Sequence, residues 1–333
     1  MSVNNIPDYL VTLDGTDLTS KIRPRLISLS ISEQRGDEAD QLDIQLDDSD
    51  GKLAIPSPGA VLAVSLGWKQ GSDVTPGLIH KGLFKVDEIS HSGPPDVISL
   101  KARSTDFTAD IRARREQNWQ AVTLGAILRE VAGRCGLSLR IADDLAGITI
   151  ASLTQSRQSD IAFLKFLGGR YDAVATIKAG CLIFARKGAG TTASGKTLAT
   201  LTIARRDGDR HSWTRQTRTD YAGVTASWHD NGAAKRKTVT SGTKTGSKRL
   251  RKVYASEADA KQAAEAERAR LKRMPATMDL GLALGRADAA PEQRVSLTGF
   301  KDAINAQSWL ITAVDHRLDQ SGFTTSLKLE TAP

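Results

Sequence analysis

Leu26-Ile-Ser-Leu-Ser-Ile-Ser32 is the first of five segments in which apolar and polar residues alternate. The other four are Leu42-Asp-Ile-Gln-Leu-Asp47, Val61-Leu-Ala-Val-Ser-Leu66, Leu83-Phe-Lys-Val-Asp-Glu-Ile89 and Val97-Ile-Ser-Leu-Lys-Ala102. A period of two places Leu29 and Ile31 on one face of a strand and the serines between them on the other. Turn-forming residues separate the segments. Short antiparallel strands with one apolar face close most easily into a barrel, so the sequence predicts a small β-barrel in 1–104.

The composition is typical of a packed protein with two or three domains. The chain has 333 residues, of which 40% are hydrophobic and 25% are charged, and its net charge of +8 modestly favours acidic partners. No apolar run approaches the roughly 20 residues that span a bilayer, and the N-terminus lacks a signal-peptide pattern, so we expect no stable membrane insertion. Cys135 and Cys181 form no CxxC motif, which indicates two buried thiols in a protein made in a reducing cytosol.

A small α+β module is predicted for 105–196. Thr123 can cap a helix whose apolar residues recur at helical spacing as far as Cys135, and Gly136 suits the left-handed position that ends it. Ser159 can cap a second helix that runs to about Tyr171. A strand pair follows at 174–177 and 181–184.

Alternation returns after residue 197 and predicts a second β-rich unit in 197–333. Its strands are expected at 198–203, 224–228, 278–284, 295–297, 309–314 and 325–329. The basic segment 235–252 is expected to be a loop, and an Ala-rich helix is expected at 257–274. The fold class is therefore α+β and predominantly β, with two small antiparallel β-barrels around an α+β module. Segment 197–222 is a candidate for completing the first barrel.

One short motif points to an alternative function. Residues 190–197, which read Gly-Thr-Thr-Ala-Ser-Gly-Lys-Thr, match the phosphate-binding pattern GxxxxGK[ST]. That pattern needs a helix directly after the loop, because the positive end of the helix faces the phosphates. The residues after Thr197 alternate and are rich in β-branched side chains, which favours a strand and a chance match. Nucleotide binding remains the alternative, and it predicts that Lys196→Ala abolishes ATP affinity.

The basic segment 235–252 carries a second alternative, nucleic-acid binding, since it contains eight Lys and Arg residues and no acidic residue. It has no aromatic residue for base stacking before Tyr254, which favours a solvated loop or one that binds an acidic protein. The acidic turn 47–51 lacks the ligand spacing of a calcium loop, and the five histidines share no metal-binding spacing. The residues thus predict no catalytic site, no cofactor and no metal.

Several stretches resemble the phage late control protein D family, the central tail hub of contractile-tailed phages. The most specific is Gln155-Ser-Arg-Gln-Ser159-Asp160-Ile-Ala-Phe163-Leu164, followed by Tyr171-Asp-Ala173. Weaker matches in the family's order are 42–48, 58–67, 82–89, 309–316 and 322–327. The family is structurally similar to the N-terminal part of type VI secretion spike hubs.

The resemblance implies a homotrimer whose two barrels per subunit form a six-fold-like ring between a hexameric tail tube and a trimeric spike. Expected partners are the chain itself, the tail tube, the spike or tip protein, the tape-measure protein and the baseplate wedge proteins, with DNA only as transiting cargo. The expected location is the virion baseplate, assembled in the host cytoplasm. Because the chain ends at Pro333 after the second barrel, we expect the spike to be a separate protein. Candidate structural residues are Gln155, Ser159, Asp160, Phe163 and Leu164, and candidate interface residues are Leu29, Ile31, Leu42, Ile44, Trp228 and Trp309.

Overall fold

Strands dominate the computed structural model. It describes residues 3–36, 39–57, 59–104, 109–178, 180–190, 196–215, 221–230, 232–273 and 276–332. Within these residues four hydrophobic cores form in different parts of the chain. The prediction of an α+β, predominantly β fold is confirmed. No helix in the described ranges has the length and apolar character needed to cross a membrane.

The first part of the chain forms the strands that the alternation predicts. Its elements are β1 (Ile6–Leu13), β2 (Thr16–Asp17), α1 (Thr19–Ile22), β3 (Leu26–Gln34), β4 (Gln41–Asp47), β5 (Val61–Gln70), β6 (Gly77–Ser92) and β7 (Val97–Ser104). The strands pair in the order β3-β4-β7-β6-β5-β1-β2, and every pair is antiparallel. Their inward side chains, including Leu29, Ile31, Leu42 and Ile44, make the first core. Burying one apolar face of each strand is what fixes this register.

The module between the two strand-rich regions contains the helices and strands predicted from the sequence. Its elements are α2 (Ala109–Arg112), β8 (Arg114–Thr123), α3 (Leu124–Arg134), β9 (Ser138–Ile141), α4 (Asp143–Ala146), β10 (Thr149–Ser159), α5 (Asp160–Tyr171), β11 (Ala173–Lys178) and β12 (Cys181–Arg186). The Thr123 side chain accepts a hydrogen bond from the backbone N–H of Ala126, and Gly136 has φ +67°, so both predicted ends of α3 are confirmed. Strands β8 and β10 form one sheet, β11, β12 and β9 form another, and α3 and α5 contribute to the module core between them.

The remaining elements belong to two structural regions. They are β13 (Leu201–Ala204), β14 (Gly208–Arg215), β15 (Gly223–Asp230), β16 (Lys235–Gly242), β17 (Ser247–Tyr254), α6 (Glu257–Arg273), β18 (Ala276–Leu282), β19 (Arg294–Thr298), α7 (Asp302–Asn305), β20 (Ser308–Asp319) and β21 (Gly322–Thr331). Strands β13, β14 and β18 to β21 surround the second core. Strands β15 to β17 form a separate three-stranded sheet that α6 covers.

Strand β20 connects the two large cores. Its first half pairs with β19 and its second half pairs with β3, so the described strands around both cores form one 13-stranded sheet. A bulge between Ile311 and Ala313 shifts the alternation by one residue. Trp309 and Ile311 before the bulge and Val314 after it therefore all enter the second core. Farther along the same strand, Leu318 enters the first core.

The tip of the β20–β21 hairpin completes the first core. Leu318 and Phe323 are buried there together with Ala287. Segment 197–222, which we expected as the completing piece, contributes β13 and β14 to the second core instead, where they pair with β19 and β18. The sequence could not show this, because the pairing of a C-terminal hairpin with β3 is a contact between opposite ends of the chain.

The basic segment 235–252 forms strands, which corrects the prediction of a loop. Strands β16 and β17 pair with opposite edges of β15, antiparallel and parallel respectively. Val224 and Ala226 of β15 are fully buried against Ala260 and Ala264 of α6. The predicted strand 224–228 therefore belongs to this small sheet and not to the sheet around the second core. The helix predicted at 257–274 is confirmed over 257–273 as α6, and Met274 lies outside the described residues.

Candidate functional site

The motif that carries the family resemblance begins α5. Ser159 has the extended backbone of an N-cap residue, and its hydroxyl accepts a hydrogen bond from the N–H of Ala162 at 3.3 Å. Phe163 and Leu164, on the inner side of the helix, have no exposed surface. The helix ends at Asp172, which adopts the left-handed conformation with φ +50°. The local sequence thus fixes both ends of the helix.

Asp160 is a buried carboxylate that joins three elements. Its side chain has no exposed surface, and its oxygens lie 3.2 Å from Nε of Arg115 on β8 and 3.0 Å from Nη2 of Arg134 at the end of α3. Gln155 donates a third contact from Nε2 at 2.9 Å. Two guanidinium groups and the positive end of α5 offset the cost of removing this charge from water. We call Asp160, Gln155, Ser159, Arg115 and Arg134 the Asp160 site.

Gln155 holds a bulge in place. The register of β10 against β8 shifts between Gln155 and Gln158, and Arg157 inside the bulge has a positive φ of 49°. The Gln155 amide donates both to Asp160 and to the backbone carbonyl of Gln158, at 2.9 Å in each case. The amide therefore spans the bulge and connects it to the start of α5.

A second group of contacts supports the two arginines and the helix. Arg134 donates from Nη1 to Oε1 of Gln117 at 2.7 Å, and the indole N–H of Trp119 donates to Glu130 at 2.8 Å. The rings of Phe163 and Trp119 stack with centroids 5.0 Å apart. Arg115, Arg134, Trp119 and Glu130 were not identified from the sequence, because their spacing follows no short motif.

The geometry of the Asp160 site favours a structural role. Both carboxylate oxygens have donors, and the burial of the side chain leaves no surface on which a substrate could contact it. All five predicted motif residues take part, since Gln155, Ser159 and Asp160 form the polar contacts and Phe163 and Leu164 pack beneath them. The site joins the paired strands β8 and β10 to the helices α3 and α5.

Five of the six candidate interface side chains lie inside the chain. Leu29, Ile31, Leu42 and Ile44 belong to the first core, and Trp309 belongs to the second. In this fold their side chains cannot reach a neighbouring molecule, which corrects their assignment as contact residues. Trp228 is partly exposed beside α6, and the ammonium group of Lys237 lies 5.5 Å from the centre of its ring. An interface role for the strands that carry these residues remains a prediction.

The phosphate-loop match lies partly outside the described residues, which stop at 190 and resume at 196. The next regular element after Thr197 is β13, a strand, so the helix that a phosphate loop requires does not follow. The N–H of Leu198 donates to the Gly190 carbonyl at 2.6 Å. This geometry does not support the nucleotide-binding alternative.

A chain of ion pairs that the sequence did not reveal connects the module, α6 and the large sheet. Asp172 after α5 pairs with Arg273 at the end of α6, with one contact of 2.6 Å, and Arg273 lies 3.5 Å from Glu330 on β21. Glu330 also binds Arg35 at 2.7 Å, and Arg35 pairs with Glu292. Burial raises the pKa of Glu292, although Arg35 opposes the shift. We call these five residues the interunit junction.

A second buried charge group lies between β3, β6 and β20. Lys81 places its ammonium 2.7 Å from Glu33, and Nε2 of His316 lies 3.8 Å from the same carboxylate. Burial first, and the charge of Lys81 second, hold the pKa of His316 well below its usual value. Lys178 of β11 pairs with Asp40 at 2.9 Å, and burial raises the pKa of that carboxyl group. The Lys178–Asp40 ion pair attaches the module to the first part of the sheet.

The described residues contain no group of His, Cys, Asp and Glu side chains arranged to hold a metal ion. Cys135 and Cys181 are both buried. The interunit junction and the group around Lys81 and Glu33 are both built from residues far apart in the sequence.

Comparison with known proteins identifies close relatives. A family model described as "Phage tail baseplate hub (GPD)" matches residues 54–322. Two proteins described as probable baseplate hub proteins are similar over 97% of this chain: that of Escherichia phage 186 is 41% identical, with 92% of its length covered, and that of Escherichia phage P2 is 40% identical, with 93% covered.

Two solved structures share the fold at low sequence identity. A tail protein from Neisseria meningitidis MC58 superposes with a TM-score of 0.66 at 15% identity, covering 98% of this chain and 96% of that one. An Escherichia coli component of the type VI secretion system, described as similar to T4 bacteriophage tail proteins, gives a TM-score of 0.57 at 13% identity, with 97% and 77% covered. The predicted structural similarity to type VI secretion proteins is confirmed.

Proposed function

Because this chain belongs to the phage tail baseplate hub (GPD) family, we propose that three copies of it form a ring at the centre of a contractile tail baseplate. The chain is a structural baseplate hub of the phage tail. The ring joins a six-fold tail tube to a three-fold spike and forms part of the delivery channel. Its role is to hold the tail tube and the spike in a fixed arrangement, without catalysing a reaction.

The observation that carries this proposal is the pair of strand-rich cores joined by β20. The first core lies within the antiparallel strands that begin the chain and the tip of the β20–β21 hairpin, and the second lies within β13, β14 and β18 to β21. The β3–β20 pairing places the strands of both cores in one continuous sheet. Two barrel-like units in one rigid subunit supply six similar positions when three subunits close a ring. This is the symmetry that a tube of six and a spike of three require from the protein between them.

The first half of β6 is the surface we propose for contact between copies. Residues 77–83 pair with β5 along one edge, and β7 begins to pair only at Phe84, so the described strands leave the other edge of this half open. Leu78, Ile79 and Leu83 are 41%, 40% and 48% exposed there. An open strand edge with apolar side chains is a favourable site for another strand or subunit.

The other partners that we propose are the proteins that surround a hub at the centre of a baseplate. We propose that one face of the ring binds the tail tube and the tape-measure protein and the opposite face binds the spike protein. Wedge proteins of the baseplate bind its periphery, and DNA crosses the ring only as cargo. Two related structures support contact with other secretion components, since they are described as complexes of PdpA with VgrG.

The mass of the purified protein tests the proposed contact between copies. We expect native mass spectrometry to give three times the chain mass, either for the protein alone or for the protein co-expressed with the spike protein of its particle. Leu83→Glu should shift this species to monomer, because it places a charge in an apolar contact. Ile55→Glu, at a residue that is 60% exposed in a loop, is the matched control and should keep the trimer. A monomer in both preparations, or equal effects of the two variants, would contradict the proposal.

A further inference from the structure

The three-stranded sheet formed by β15, β16 and β17 has one covered face and one open face. Helix α6 packs against the covered face, where Val224 and Ala226 contribute to a small core. Among the described elements, α6 is the one that packs extensively against this sheet. On the opposite face, which we call the open side, Thr225 and Ser227 of the central strand β15 are buried, whereas side chains of the outer strands β16 and β17 are exposed.

The strand register assigns the basic side chains to the two faces. Arg236 lies beside His229, and Arg249 lies beside Thr225, which alternates with the helix-facing Val224 and Ala226. Leu250 and Tyr254 pack on the helix side, so Arg249 and Arg251 point to the open side. Arg236, Arg249 and Arg251 are all exposed, and we call them the arginine face.

Three lysines of the same strands, unlike these arginines, contact charged or aromatic side chains of the chain. Lys248 contacts Glu267 of α6 at 2.7 Å, and Lys237 contacts Asp230 at 2.6 Å. The ammonium of Lys252 lies 5.5 Å from the ring centre of Tyr254. These three lysines stabilise the sheet and the helix that covers it.

The arginine face has no such compensation within the described residues. Asp230 is the only acidic residue in 221–254, and its carboxylate pairs with Lys237. The hydroxyl of Thr225, which lies between the strands of this face, bonds to Thr240 at 2.9 Å and to Ser247 at 2.8 Å. These hydroxyl groups bond to one another, so the guanidinium groups are the solvent-exposed charged donors of the face.

We propose that the arginine face docks on an acidic surface of a partner protein. The planar guanidinium fork binds carboxylates through paired hydrogen bonds, and arginine is enriched in protein interfaces. Val253, which is 43% exposed on the same face, adds an apolar contact of the kind such interfaces bury. Trp228 and Tyr254, the aromatic residues of the sheet, pack on the helix side, so the face has no platform for stacking bases.

Binding of a labelled poly-L-glutamate peptide to the full chain, followed by fluorescence anisotropy at low salt, tests this proposal. The combined variant Arg236→Gln, Arg249→Gln, Arg251→Gln should bind the peptide about tenfold or more weakly than the unmodified chain. The matched control Lys52→Gln, Arg157→Gln, Arg206→Gln removes the same charge from side chains that are 78%, 85% and 91% exposed, and it should bind almost normally. Thermal unfolding of both variants verifies that each is folded.

A labelled DNA duplex in the same assay separates the two classes of partner. Tighter binding of the duplex than of the peptide, lost in the arginine variant, would assign the face to nucleic acid and overturn the proposal. Equal losses in the arginine variant and its control, or no peptide binding by the unmodified chain, would overturn it as well. The assay does not depend on trimer formation, so its result and that of the mass measurement are independent.

Discussion

Asp160 carries its charge at a position with no exposed surface, and its two arginine partners come from two other elements. Arg115 and Arg134 precede it by 45 and 26 residues. The sequence predicted Ser159 as a helix N-cap because capping is a local pattern, whereas Asp160 was identified through the family resemblance of the stretch that contains it. It did not identify the arginines, because nothing local distinguishes them from the other arginines of β8 and α3.

Replacing Asp160 with Asn should destabilise the module strongly. The substitution keeps the shape but leaves two guanidinium groups without their shared negative charge, and breaking a buried ion pair typically costs about 3–5 kcal/mol. Asp144→Asn is the control, since Asp144 pairs with Arg186 at a side chain that is 56% exposed. Such exposed pairs contribute about 0–1 kcal/mol. Urea unfolding should separate the two variants, and equal losses would show that the Asp160 site does not stabilise the fold.

His316 should make the unfolding free energy depend on pH. Burial holds its pKa below the ordinary value near 6.5, so the unfolded chain binds a proton that the folded chain does not. The stability contributed by neutral His316 is therefore present above about pH 6.5 and decreases by about 1.4 kcal/mol per pH unit below it.

Urea unfolding between neutral and mildly acidic pH measures this slope. We expect the stability of His316→Gln to be less sensitive to acidification than that of the unmodified chain. Burial raises the pKa of the Asp40 and Glu292 carboxyl groups, so these groups increase the unfolding free energy on acidification. They are present in both proteins, so the difference in slope between His316→Gln and the unmodified chain reports on His316. An unchanged slope in His316→Gln would contradict the assignment.

At the scale of elements, β3 ends where the sheet meets the module. Gly36, two residues after this strand, has φ +62°, and a Cβ atom there would lie 2.7 Å from Val174 Cγ1 and 2.9 Å from the Ala175 carbonyl of β11. Only glycine allows the two chains to approach so closely. The contact complements the Lys178–Asp40 ion pair and the interunit junction nearby.

Gly36→Ala should destabilise the chain more than Gly15→Ala does. Both glycines have positive φ, so each substitution adds about 1–2 kcal/mol of backbone strain. A Cβ atom at Gly15 meets nothing within 4 Å, whereas at Gly36 it forces the module away from β3. Limited proteolysis should cut the Gly36 variant faster between the module and the sheet. Equal stability of the two variants would mean that this contact is loosely packed.

The elements that the sequence predicted well are those determined by neighbouring residues. The alternating strands β3 to β7 and the capped helices α3 and α5 follow from local periodicity and from single residues such as Thr123 and Ser159. Strands β16 and β17 were predicted as a loop because the segment is basic and rich in Gly and Thr. They form strands because β15, whose residues 223–227 are all buried, pairs with both of them.

At the scale of the whole molecule, the arrangement of the cores depends on long-range pairing. The sequence indicated two regions of alternating residues, but the β3–β20 pairing, which places strands of both cores in one sheet, joins residues from opposite ends of the chain. The interunit junction has the same character, because Arg35 and Glu330 are 295 positions apart. No local pattern encodes such contacts. The individual strands and helices could therefore be predicted from the sequence, whereas the long-range pairings between them could not.

A cryo-EM reconstruction of the purified tail baseplate, calculated without imposed symmetry, tests the central claim most directly. We predict three copies of this chain around the axis, with their two strand-rich cores alternating to give six similar positions. The open half of β6 should lie against a neighbouring copy. Six copies, a single copy, or three copies whose two cores lie at very different distances from the axis would contradict the account.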